Sequence, residues 1–210
     1  MFGINQYEAF LLASIALNLT PGNDTIYILS RSIAQGRIAG IMSVLGIATG
    51  SLIHTTFAAV GLSIIISKSI LLFNIIKYVG AAYLVFIGLK MFFSKQPRLE
   101  INNISQKEEK FKVYYQAVLT NVSNPKVALF FISFLPQFIN PVYENSYISF
   151  LLLGLTFTIT GTTWCFVLAN FASYISNGLR RNKFLAVILN KVCGATLIGL
   201  GIKVAFSKSS

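Results

Sequence analysis

Residues 17–27 read "LNLTPGNDTIY". The stretch lies inside an apolar run near the start of the chain. It holds a Pro, a Gly, two Asn and the only Asp of the protein. Helix breakers and a carboxylate are costly in hydrocarbon. A membrane chain that puts them there needs a polar chamber at that depth.

Composition establishes that this is a membrane chain. Of 210 residues, 55% are hydrophobic and 11% charged, against about 25% charged in a soluble domain. Six apolar segments run at roughly 7–30, 38–67, 70–93, 113–139, 146–176 and 184–206. Each reaches the ~20 residues a helix needs to cross ~30 Å of hydrocarbon. Strand-like alternation is absent, and in lipid the backbone must satisfy its own hydrogen bonds. The expectation is an all-α integral membrane protein with six transmembrane helices.

The formal charge is +11, but the basic residues are scattered between apolar runs, which argues against nucleic acid. They fit contact with anionic lipid and orientation by the positive-inside rule. With the N-terminus outside, the inner loops hold Arg31, Arg37, Lys90, Lys95, Arg98, Lys107, Lys110, Lys112, Arg180, Arg181, Lys183 and Lys191, which are 12 of the 17 basic residues. Both termini are therefore expected outside. The opening "MFGINQYEAFLL" has no positive n-region and no small-residue cleavage site, so no cleavable signal is expected. Cys165 and Cys193 lie in apolar runs and form no CxxC, which suits small buried residues better than redox chemistry.

Residues 94–112, "SKQPRLEINNISQKEEKFK", form the one extended polar stretch and divide the chain. The halves match at their ends: "GLKMFFSK" (88–95) and "GIKVAFSK" (201–208). They match near their starts as well, in "NLTPGND" (18–24) and "NVSNPK" (121–126). One domain over 1–210 is expected, with repeat one at 1–95, the loop at 94–112 and repeat two at 113–208. Three crossings per repeat invert the second copy. Inverted repeats with interrupted helices in corresponding positions mark secondary transporters.

Each interruption reads as a restart. Thr20 is expected to cap a half-helix with Pro21 first in it, and Asn124 to cap one that begins at Pro125. Such half-helix starts favour anions. Asp24 and Lys126 bring opposite charges to the two interruptions. Asp24 would take a substrate ammonium, while Lys126 and the helix ends would take a carboxylate. Asn18, Asn23, Asn121, Ser123 and Asn124 offer neutral partners. The residues alone reach a small zwitterion or a carboxylate. Asp24 is the first candidate for carrying a proton, and His54, the only histidine, is the second.

"LTPGNDTIYILSRSIAQGRIAGIMSVLGIATG" (19–50) followed by "NPKVALFFISFLPQF" (124–138) resembles the LysE/RhtB family of amino-acid exporters. The resemblance implies an inner-membrane translocator that exports amino acids or close derivatives, generally against protons. By motif it implies Thr20, Pro21, Gly22 and Asp24 in the first half, and Asn124, Pro125 and Lys126 in the second. Family members commonly carry "TPGPD"; here Asn23 stands at the second Pro.

Other readings are weaker. A divalent-metal exporter would want several carboxylates, thiolates or imidazoles together, and this chain has one Asp, one His and two separated Cys. A non-transporting scaffold needs neither a buried charge pair nor an inverted repeat. No phosphate-binding loop is present, so ATP is not the expected driving force; the resemblance implies the proton gradient instead, and no cofactor is expected. Ser51 precedes His54 by one turn but lacks an orienting acid and an oxyanion motif, which argues against an enzyme. Gly46, Gly50, Gly88 and Gly201 suit close helix packing, with a homodimer face as the alternative. Trp164 suits either packing or the pathway wall. Arg31 and Arg37 are expected to anchor to lipid headgroups.

Overall fold

The computed structural model describes residues 2–64, 70–93, 108–140, 143, 145–172 and 183–206. Most of the central polar stretch, the Arg180–Arg181 pair, Lys68 and Lys208 lie outside these residues. Among the described residues the secondary structure is helical, with one isolated antiparallel bridge, Ile4 to Ile139.

The helices in chain order are α1 (Tyr7–Leu19), α2 (Asn23–Gln35), α3 (Arg37–Phe57), α4 (Ile70–Phe92), α5 (Lys110–Val122), α6 (Pro125–Leu129), α7 (Ser146–Asn170) and α8 (Lys183–Phe206). A π turn, Ala58–Leu62, extends α3, and a π turn followed by a 3-10 turn carries α6 on to Phe138. Among the described residues, two helices are long and apolar enough to cross a membrane unaided: α3 with its π turn, 26 residues, and α7, 25 residues. The pair α5 and α6 joins them as a third span if its 46° bend is taken within one crossing. At ~1.5 Å per residue, 25 residues reach past the ~30 Å of hydrocarbon. Large apolar side chains such as Leu12, Phe57, Leu71, Phe86, Leu119 and Ile159 are exposed around the outside. That surface suits acyl chains rather than water.

The two interruptions differ in detail. Thr20 and Asn124, each before a proline, take extended backbone (ψ 118° and 108°), because the proline ring disfavours the helical region for its predecessor. At the second break the expected restart is present. Pro125 is the first helical residue, and Asn124 caps α6 by accepting the Lys126 backbone N–H at 3.1 Å. At the first break the expectation fails. Thr20 ends α1 instead of starting α2. Its N–H returns to the Ala16 and Leu17 carbonyls, and its hydroxyl donates to the Ala16 carbonyl at 2.8 Å. Pro21 lies between the helices. Extended Gly22 then supplies the carbonyl that accepts the Ile26 N–H at 2.9 Å, so α2 begins at Asn23.

Glycines set the closest approaches. A Cβ on Gly46 would meet Ala117 of α5, and one on Gly50 would lie 2.7 Å from Asn121. A Cβ on Gly88 of α4 would lie 2.7 Å from the Gly194 carbonyl of α8, and one on Gly201 would lie 2.8 Å from the Ala81 carbonyl. These glycines serve packing within the chain.

Two apolar clusters bracket the middle. One gathers Phe10, Phe130, Phe131, Phe134, Phe138, Phe150 and Phe157, with Phe130 stacked on Phe157 at 4.5 Å between centroids. The other holds Ile28, Leu29, Val44, Ile47, Cys165 and Leu168. At the aromatic end the chain start is tied to the end of the α6 segment: Asn5 N–H to the Phe138 carbonyl and Asn140 N–H to the Gly3 carbonyl, both 2.8 Å. At the opposite end Arg31 of α2 pairs with Glu108 just before α5, at 3.0 Å. Each end of the α1–α2 pair thus meets the corresponding end of the antiparallel α5–α6 pair.

Candidate functional site

The breaks of the two helix pairs face each other, and α5–α6 supplies what α1–α2 lacks. Asp24 lies in the first turn of α2, where a carboxylate complements the helix dipole. Its two oxygens accept from the Asn121 side-chain amide at 2.8 Å and the Asn124 amide at 3.1 Å. The Lys126 ammonium donates to the Leu17 carbonyl at 3.2 Å and the Thr20 carbonyl at 3.0 Å. These carbonyls lie at the end of α1, where Pro21 has no N–H to give the Leu17 carbonyl its usual i+4 bond and only the Thr20 N–H reaches it. A cation there also suits the negative end of the helix. A Cβ on Gly22 would come within 3.3 Å of the Lys126 nitrogen, so glycine leaves room for this contact.

A cavity with about 40 Å³ open to water lies beside this junction. Asn18, Asp24, Thr25, Ser51, Asn121, Lys126, Thr158 and Thr162 form its polar wall. Ile47, Ala48, Val127, Phe157, Trp164 and Cys165 form the apolar part, with Gly161 at the edge. Asn18 donates to the Thr160 hydroxyl at 3.1 Å, and Ser51 and Thr158 share a hydrogen bond at 2.8 Å across the α3–α7 contact. A water needs about 10–15 Å³ by this measure, so the space suits a few waters. The aromatic cluster packs at one end of the bundle and the α2–α5 contacts at the other.

Of the expected site residues, Asp24, Asn121 and Lys126 line the cavity, and Asn124 braces Asp24 from behind. Thr20 is buried at the end of α1, with Pro21 and Gly22 bridging the break. Asn23, Ser123 and Pro125 are exposed and do not line the cavity. His54 lies a layer away. Its Nε2 is 3.3 Å from the Asn121 carbonyl, and its ring stacks on Phe131 at 5.5 Å.

Trp164, read from sequence as suiting either packing or the pathway wall, lines the cavity; the rest of the α7 wall was missed. Gly154, Thr158, Gly161 and Cys165 recur at i, i+4, i+7 and i+11, a stripe of small and polar residues on one helix face that could have revealed it. The headgroup expectation for Arg31 is overturned. It is 6% exposed, paired with Glu108, bonded to Gln116 at 2.5 Å, and 5.4 Å from the Tyr27 ring. A guanidinium beside an available carboxylate and amide is satisfied inside the bundle without reaching for lipid.

The description of the matching family model is "LysE type translocator", and it covers residues 15–208. The chain belongs to this family. It is a membrane transporter and not an enzyme. An uncharacterized membrane protein of Bacillus subtilis, YrhP, is 32% identical over 207 residues, covering 95% of this chain and 98% of its own. A leucine efflux protein of Klebsiella pneumoniae is 26% identical over 208 residues, covering 99% and 98%. An uncharacterized membrane protein of Vibrio cholerae is 28% identical over 206 residues, covering 98% and 99%. No solved structure matches the chain.

Proposed function

We propose that the protein exports an amino acid or close derivative across the bacterial inner membrane in exchange for protons. One observation carries this reading: the carboxylate of Asp24 and the ammonium of Lys126 are held at two facing helix interruptions beside a shared polar cavity. Ionisable groups at such depth are costly and tend to mark substrate and proton pathways. A zwitterion matches the pair. Its ammonium would be taken by Asp24, which keeps acceptor capacity beyond its two amide bonds. Its carboxylate would be drawn to Lys126. Asp24 is the proposed proton carrier; His54, stacked on Phe131 outside the cavity wall, is the weaker candidate. The printed function of the Klebsiella relative, leucine efflux, supports an amino-acid cargo.

The proposal includes six crossings in two inverted repeats with both termini outside. Reciprocal contacts support the repeats. Asn18 of the first crossing lies against Gly161 of α7, and Asn121 lies against Gly50 of α3. Gly88 meets Gly194 and Ile198, while Gly201 meets Ala81 and Val85. A shift of 113 residues turns the first of these glycine sets into the second. A two-fold axis in the membrane plane generates such pairs.

The test is counterflow in proteoliposomes over a panel of amino acids, with and without an imposed proton gradient. The wild type is expected to exchange at least one amino acid and to respond to the gradient. Asp24→Asn is expected to lose the response, and Lys126→Ala to lose most exchange. If both variants exchange normally, the site assignment is wrong.

A further inference from the structure

Two buried polar atoms near the cavity have no hydrogen-bond partner among the described residues: the Trp164 indole nitrogen and the Asn121 side-chain oxygen. Both residues line the cavity that Asp24 and Lys126 share. The indole N–H can only donate, and the amide oxygen can only accept. The amide nitrogen of Asn121 is already engaged with Asp24. Buried orphans of this kind are rare in folded proteins and need an explanation. One orphan donor and one orphan acceptor, on two residues that line a single cavity, call for a guest carrying the opposite set. A zwitterion carries it, with an ammonium for the Asn121 oxygen beside Asp24 and a carboxylate for the indole.

We propose that Trp164 is a substrate-contacting residue whose indole N–H donates to the carboxylate of the exported amino acid. This inference rests on the transport reading above. It adds a carboxylate ligand from α7 to the groups at the two interruptions. Lys126 already gives two of its three protons to the Leu17 and Thr20 carbonyls, so a second donor for the carboxylate has a clear use. Both orphan atoms are covered by surrounding side chains in this structure. The cavity must widen to admit an amino acid, and the contact forms then.

Trp164 is the only tryptophan in the chain, so its fluorescence reports on this residue alone. The probes are leucine, with threonine and alanine beside it, and 3-methylbutylamine, which is leucine without its carboxylate. In wild-type proteoliposomes a saturable emission change is expected with an exchanged amino acid and none with the amine. Trp164→Phe keeps an aromatic ring and removes the N–H. It is expected to raise the KM for exchange about tenfold, ordinary for one hydrogen bond to a charged group, with the maximal rate little changed. Wild-type exchange without an emission change overturns the proposal, as does an unaltered KM in the Phe variant. Should that variant fail to reach the membrane, the wild-type emission decides alone. If the wild type exchanges no amino acid at all, the transport reading falls and takes this inference with it.

Discussion

Asp24 owes its position to residues about a hundred positions away. Both amides that hold it, from Asn121 and Asn124, belong to the other interrupted crossing, as does the ammonium that caps the end of α1. Gly50 backs this junction, and a Cβ there would meet Asn121 at 2.7 Å. Gly50→Val is expected to push Asn121 off Asp24, abolish exchange and cost about 1–3 kcal/mol, the usual range for overpacking. Thermal unfolding in detergent and counterflow measure the two effects. At this scale the sequence was partly legible. Asn124 before Pro125 announced its own cap, because an Asn-Pro pair leaves few alternatives. Thr20 before Pro21 did not, because a threonine hydroxyl can equally bond the carbonyl four residues back, which is what it does. Lys126 announced a buried charge but not its partners, since nothing local says which carbonyls a distant break leaves open.

At the level of elements, one end of the bundle is held by how α2 meets the start of α5. The Arg31–Glu108 pair is the polar tie there, reinforced by Gln116 and by the Tyr27 hydroxyl, which donates to the Val113 carbonyl at 2.8 Å. Two guanidinium nitrogens, Nε and Nη1, remain without partners among the described residues. Glu108→Gln would leave a nearly buried cation without its carboxylate partner, with the Lys112 ammonium still nearby. The expected loss is about 1–3 kcal/mol, less than for a fully buried pair because Glu108 is partly exposed. An unchanged Tm would contradict this account of the tie. The helices themselves were readable from their apolar runs, and each expected crossing corresponds to a helix or an interrupted pair. The tie was not readable, because Arg31 looks like any basic residue near a membrane surface until the opposite helix brings a carboxylate to it.

For the molecule as a whole, the pairing of ends makes orientation testable. Residues 3–5 lie beside residues 138–140, and Arg31 beside Glu108, so the proposed topology puts these two sets on opposite sides of the membrane. In a background lacking Cys165 and Cys193, Gln6→Cys is expected to react with an impermeant thiol reagent in intact cells, and Lys110→Cys only after permeabilisation. The reverse pattern would invert the proposed topology, and labelling of both in intact cells would exclude it. The matching of "GLKMFFSK" with "GIKVAFSK" had already pointed to a repeat. The sequence could not show that Gly88 and Gly201 take corresponding places in one helix seam, since that needs α4 and α8 side by side.

The central claim is that two interrupted crossings meet around a chamber that binds the cargo. An experimental density map of the protein in lipid with an exchanged amino acid tests it most directly. The account predicts breaks at residues 20–22 and 123–124, with the amino acid between them, its ammonium on Asp24. Continuous helices through those residues, or a bound amino acid elsewhere with Asp24 untouched, would contradict it.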